Sequence, residues 1–191
     1  MPTCFFATDL HGITSRYEKL FQAIRGGHPD VLFLGGDLLA HVSFTPNVSG
    51  HDSFVEGYLI PAFSKIRIAL GEKYPHIFVL LGNDDLGYVE KDFLAAEAEG
   101  LWHYMHAKKQ PWRDYTIYGL CYVPPTPLLM KDWERYDVSR YVPPGATSPE
   151  EGYRTLPRED NYIKWTTINE ELHRLVGQEP MDRALFLFHS L

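Results

Sequence analysis

Val31-Leu32-Phe33-Leu34-Gly35-Gly36-Asp37 carries the plainest structural signal in the chain. Four apolar residues run into two glycines, and then one carboxylate stands alone. The run is β-prone and too short for a buried helix, so it predicts a core strand. The glycines let the backbone turn sharply and keep side chains out of the space beside Asp37. Asp37 is thereby offered at the C-terminal end of a strand, where open α/β sheets place their ligands. Taken alone, the stretch also reads as an ordinary strand-end turn with a solvated Asp.

The pattern recurs along the chain. Cys4–Thr8 leads into Asp9-Leu10-His11-Gly12, and His76–Leu81 leads into Gly82-Asn83-Asp84-Asp85. Ala184–Phe188 leads into His189. These strand-like runs all end in Asp, Asn or His, hard or borderline ligand types with no thiolate among them. Strand ends converging on one edge would make a metal site, and a central Asp would bridge two ions, as two-metal hydrolases require.

Helical signals fill the spaces between the runs. Ser15 and Glu18 form a capping box, with Tyr17, Leu20, Phe21 and Ile24 on one face and Gly26-Gly27 as the stop. Strand, helix, strand in this form predicts a βαβ unit with parallel strands. A polar loop runs from Leu38 to Asp52. Ser53 and Glu56 then cap a helix carrying Phe54, Tyr58, Leu59, Phe63, Ile66 and Leu70, which Pro61 must kink or interrupt. Another helix is expected from Tyr88 to Glu99, with Val89, Phe93 and Leu94 inward and Gly100 as its stop.

Later the grammar changes. Leu101–His106 predicts a short strand and Asp114–Val123 an antiparallel one. Residues 124–160 have no period and read as an excursion over the site or as a plain irregular insertion. Its cations, Lys131, Arg135, Arg140, Arg154 and Arg158, read as a solvated face interleaved with acids. A last helix spans Tyr162–Val176, with Ile168, Leu172, Leu175 and Val176 inward and Gly177 as C-cap. The expected architecture is a single α/β domain over residues 1–191, layered mixed β-sheets flanked by helices.

Composition bounds the function. Of 191 residues, 45% are hydrophobic and 23% charged, which suits one globular core. A formal net charge of −7 argues against non-specific binding to nucleic acid or an anionic membrane. Cys4 and Cys121 lie in apolar surroundings and read as reduced, buried thiols of a cytoplasmic protein. The N-terminus has no leader pattern, and no apolar run is long enough to span a bilayer.

The order Asp9-x-His11, Gly36-Asp37, Gly82-Asn83 and a late His189 resembles the calcineurin-like metallophosphoesterase superfamily. Its motifs run Asp-x-His, Gly-Asp, Gly-Asn-His-Asp/Glu, His and Gly-His-x-His. The resemblance covers nearly the whole chain, from Asp9 to His189; each motif is weak alone, and the ordered set is specific. It implies a metallophosphoesterase-like sandwich and a centre of two divalent metal ions, Mn²⁺ first, with Fe or Zn²⁺ as alternatives. Asp9 and His11 would hold one ion, Asn83 and His189 the other, and Asp37 would bridge them. The implied activity is hydrolysis of a phosphodiester or nucleotide-type substrate. A phosphomonoesterase or protein phosphatase is the first alternative, and a non-catalytic member of the fold that binds a protein partner is the second.

Two departures from the family pattern matter. Asp84 stands where the family has the His that stabilises the transition state or protonates the leaving oxygen. Asp84 and Asp85 are then the candidate catalytic residues, although an ionised Asp84 would bind metal or water instead of donating a proton. His41 and His51 are alternative donors from the loop after Asp37. The remaining histidines, among them His28, His76, His103, His106 and His173, read as structural or surface residues. Gly-His-x-His is absent before Leu191. The resemblance draws one further ligand for each ion from that motif, so the expectation is a C-terminally incomplete sandwich with apolar surface where closing strands would pack.

Overall fold

The computed structural model describes residues 1–40, 54–157 and 159–190. The run ahead of Asp37 forms β2 (Val31–Gly35), buried at every residue. It is central because its side chains are apolar on both faces. Beside it lie β1 (Cys4–Ala7) and β3 (His76–Leu80), and β4 (His103–Tyr104) follows, all parallel in the order β1-β2-β3-β4. Parallel neighbours need crossovers, and helices α1 (Thr14–Gly27), α2 (Ile60–Leu70) and α3 (Glu90–Ala98) lie in them. All the strands of this sheet run the same way, so the loops carrying the candidate ligands leave one edge.

The second sheet is mixed. β5 (Lys108–Trp112) and β6 (Tyr115–Leu120) pair antiparallel, and β7 (Ala184–Phe188) joins β6 in parallel. β7 also packs against β2, which makes the two sheets a layered pair. The fold class is the expected layered α/β one. No helix among the described residues is long and apolar enough to cross a membrane.

Several local expectations are corrected. The N-cap of α1 is Ile13, without a side-chain bond, so Ser15 lies inside the helix and caps nothing. The helix runs through both glycines and ends at His28, which takes the left-handed conformation. The Pro61 interruption is present: a π-helical turn, Val55–Leu59, precedes α2, and Pro61 stands in its first turn. A proline nitrogen has no hydrogen to donate and its ring crowds the preceding turn, so the ladder slips there. Ser53 lies outside the described residues, as do His41, His51 and Arg158. Leu94 points outward, 41% exposed, while Phe93 and Ala96 fill the inner face of α3. The expected last helix is two, α4 (Asp160–Trp165) and α5 (Ile168–Val176), because Thr167 and Glu170 form a full capping box that starts the second. Cys4 is exposed and Cys121 buried, neither in a disulfide.

β7 is less enclosed than its sequence suggests. Leu187 is buried, but Leu185, Phe186 and Phe188 keep 39%, 42% and 39% of their surface exposed. Among the described residues β7 pairs with β6 alone.

The excursion is packed at its start, which overturns the solvated reading for Lys131 and Arg135, whereas Arg140 is exposed and Arg154 half-buried. Lys131, Glu134 and Arg135 are completely buried. The Lys131 ammonium pairs with Glu134 and donates to the Thr126 carbonyl at 3.0 Å. Glu134 also accepts from the Thr126 N–H at 2.7 Å and its hydroxyl at 2.6 Å. Arg135 lies over the rings of Tyr122 and Tyr162. A buried charge left without its partner costs about 3–5 kcal/mol. Glu134→Ala is therefore expected to destabilise the protein by that much in urea unfolding, and Lys131→Met with Glu134→Leu by clearly less. A single-variant loss below about 1 kcal/mol, the scale of an exposed pair, would contradict this packing.

Candidate metal centre

The loops after β1, β2, β3 and β7 meet at the shared edge. Main-chain bonds join the first two: the Asp9, His11 and Gly12 N–H groups donate to the carbonyls of Gly36, Asp37 and Leu38 at 3.1, 2.9 and 2.8 Å. Asp9, His11 and Asp37 all take left-handed backbone, with φ of 56°, 49° and 51°. They are three of the six non-glycine residues so placed among the described ones. Left-handed backbone gathered at three polar residues of adjoining loops is the kind of strain that clusters at functional sites.

Glycines make the close approach. A Cβ on Gly82 would lie 2.2 Å from Asp37 Oδ1, and one on Gly36 would lie 2.7 Å from His189 Nδ1. The two glycines that precede the candidate ligands therefore leave room for the ligands themselves.

Two groups of ligand atoms result. Asp9, Asp37 and His189 bring one atom each within 4.8 Å of one another, and so do His11, Asp37 and Asp84. Asp37 belongs to both, as a bridge must. His11 stands between the groups, its Nε2 3.7 Å from Asp9 Oδ1 and its Nδ1 3.7 Å from Asp84 Oδ2. Asn83 faces the first group, its Oδ1 3.1 Å from His189 Nε2. The five residues proposed as ligands from the sequence are thus adjacent, and Asp84 joins them.

The donor set fits a divalent cation. His189 donates from Nδ1 to the Gly35 carbonyl at 2.8 Å, which turns Nε2 toward Asn83 Oδ1 at 3.1 Å and Asp37 Oδ2 at 3.3 Å. Ligating histidines are commonly oriented in this way, by a main-chain carbonyl on the other ring nitrogen. In the metal-free protein a proton on Nε2 serves those oxygens, and a cation would satisfy the same three atoms. Burial pulls the His189 imidazole down, but the Asp37 carboxylate lifts it further, to about 9. Burial likewise pushes the Asp37 carboxyl up, and His189 and the Asp84 N–H outweigh it and hold it below the usual carboxylate range.

Asp85 has a different place from Asp84. It is fully buried, and its oxygens accept the N–H groups of Leu38, Leu39 and Gly82 at 3.1, 2.7 and 2.8 Å. It ties the Asp37 loop to the Asn83 loop from behind, and a carboxylate so enclosed cannot touch substrate. The catalytic role read from the sequence passes to a structural one. Burial pushes its carboxyl up to about 7, the Asp37 charge adds to this, and the three N–H bonds oppose it.

Sequence reasoning missed two side chains that hold this loop. Trp133 donates from Nε1 to the Asp85 carbonyl at 2.7 Å, and Asp132 accepts the Gly87 N–H at 2.6 Å. Both come from the excursion, which therefore braces the site instead of merely lying over it. A tryptophan flanked by charges in a stretch without period was the only signal. His106, read as structural, packs edge-on against Trp133 and Tyr122 and accepts the Cys121 N–H.

No family model matches the sequence, and no curated protein matches it. Among solved structures, one crystal structure is 22% identical with a TM-score of 0.43, covering 63% of this chain and 53% of that chain. This chain therefore spans about half the length of that one. The crystal structure of TT1561 of Thermus thermophilus is 14% identical with a TM-score of 0.44, covering 92% of this chain and 76% of that chain.

Proposed function

We propose that this chain is a metal-dependent phosphoester hydrolase of the calcineurin-like metallophosphoesterase type, acting on a phosphodiester or nucleotide-type substrate. The observation that carries the reading is the pair of ligand groups sharing Asp37. Asp9, Asp37, Asn83 and His189 would hold one ion, and His11 with Asp37 the other. The resemblance paired Asp9 with His11, and the grouping of ligand atoms moves Asp9 to the His189 side. Two ions so held would supply Lewis acidity to a phosphoryl oxygen and would acidify a water at neutral pH. The chain's own part is positioning. Gly35 fixes the His189 tautomer, Asp85 locks the two central loops together, and Gly36 and Gly82 let those loops close on each other.

The test uses the chain freed of metal by chelation and then supplied with Mn²⁺. Bis(p-nitrophenyl) phosphate should be hydrolysed only with Mn²⁺ present and should stop on adding chelator. Two bound ions with no turnover of diesters, monoesters or nucleotides would sink the reading.

Metal binding should also depend on pH. The His189 imidazolium, with its pKa of about 9, must lose its proton before Nε2 can ligate. Below that pH the metal competes with the proton, so apparent affinity should rise with pH, by up to about tenfold per unit, and level off above it. Calorimetry at pH 7 in two buffers of different ionisation heat should show close to one proton released at this step. Binding without proton release would mean that His189 stays out of the coordination.

A further inference from the structure

We propose that Asp84 is an ion ligand and not a proton donor: with His11 and Asp37 it holds one divalent cation. The inference rests on the metal centre of the preceding section and changes the chemistry of one position in it.

The loop aims the carboxylate. The Asp84 N–H donates to Asp37 Oδ1 at 3.0 Å, which fixes the backbone beside the shared ligand. Asn83 donates from Nδ2 to Asp84 Oδ1 at 3.3 Å, while Oδ2 faces His11 Nδ1 at 3.7 Å. That last distance is too long for a hydrogen bond. It is close to what two ligands of one ion require, because atoms each about 2.1 Å from a shared cation stand roughly 3–3.5 Å apart at octahedral to tetrahedral angles. Asp9 stands equally far from the other ring nitrogen, and what distinguishes Asp84 is its burial, since the Asp9 side chain is exposed. His11 Nδ1 is buried and has no hydrogen-bond partner among the described residues. A buried nitrogen in that state asks for a ligand. Asp84 is 8% exposed and Asp37 2%, so two carboxylates share a site of low dielectric. A cation between them removes the repulsion that would otherwise oppose it.

Ligation and proton donation exclude each other here, since a carboxylate bound to a cation holds no proton to give. The substitution of Asp for the family's His therefore adds a negative ligand where the family has a donor. Two carboxylates and one imidazole form a harder set, which shifts preference toward Mn²⁺ and Mg²⁺ over Zn²⁺.

The experiment titrates Mn²⁺ alone into the metal-free chain and its variants, counting free Mn²⁺ by electron paramagnetic resonance. Asp84→Asn keeps the shape and one oxygen but loses the charge. It should weaken one Mn²⁺ by at least about 10–100-fold, the loss that even an outer-shell partner brings, and leave melting of the metal-free protein nearly unchanged. Asp114→Asn removes an exposed charge on the β5–β6 turn and controls for bulk charge; it should bind as the parent does. A parent that binds Mn²⁺ and an Asp84→Asn chain that binds it equally well would overturn this inference and spare the metal centre. Equal weakening by Asp114→Asn would overturn it too. A parent that binds no Mn²⁺ would overturn both readings.

Discussion

On the proposed function, Asp37→Asn should abolish paired Mn²⁺ binding and lower Mn²⁺-dependent diester hydrolysis by at least about 10–100-fold, the loss that even an outer-shell partner brings. No other side chain belongs to both ligand groups among the described residues. Its Oδ2 faces His189 Nε2 at 3.3 Å, and its Oδ1 accepts the Asp84 N–H at 3.0 Å. Asn keeps the shape and the acceptor, and it tolerates left-handed backbone nearly as well as Asp, which matters at φ 51°. Alanine would confuse the result, because it would strain that backbone and strand the Asp84 N–H. The variant removes one charge and little else. Counting bound Mn²⁺ beside initial rates checks the expectation, and two retained ions with parental turnover would show that the centre lies elsewhere.

Asp85→Ala should destabilise the metal-free protein by about 3–5 kcal/mol in urea unfolding. The effect needs no metal and no substrate. Three buried N–H groups, of Leu38, Leu39 and Gly82, lose their acceptor at once. Each unpaired buried donor costs about 1–3 kcal/mol, partly offset because the buried carboxylate is itself costly to desolvate. Asp85→Asn should fall between, since its amide nitrogen must face an N–H donor. The pH dependence has a definite sign. The folded carboxyl titrates at about 7, against roughly 4 when unfolded. Between those values the native state binds the extra proton, so the contribution of Asp85 falls as pH rises through the window. The loss on Asp85→Ala should therefore be larger at pH 5 than at pH 8. A variant as stable as the parent at both would mean that the two loops are held together by other bonds.

The contrast between Asp84 and Asp85 shows where sequence reading stops. Both are aspartates after one strand, and both read as catalytic. Tertiary structure turns one toward His11 and buries the other behind the loops. One residue along an irregular turn redirects a side chain, and no periodicity records the direction.

The apolar strands of the central sheet, the parallel pairing of the first two, and the residue types at the strand ends were legible in the chain. These are local properties: a short β-prone run stopped by glycine is legible without neighbours. Folding alone buries Lys131, Glu134 and Arg135, makes Lys108–Trp112 a strand, and sets Trp133 against the Asp85 loop. The physical reason is common to all three. A charged residue is buried, or an apolar-poor segment recruited to a sheet, when a partner distant in sequence supplies the compensating bonds. Glu134 with Thr126 does so for Lys131, β6 does so for Lys108–Trp112, and the chain reveals those partners only once it is folded.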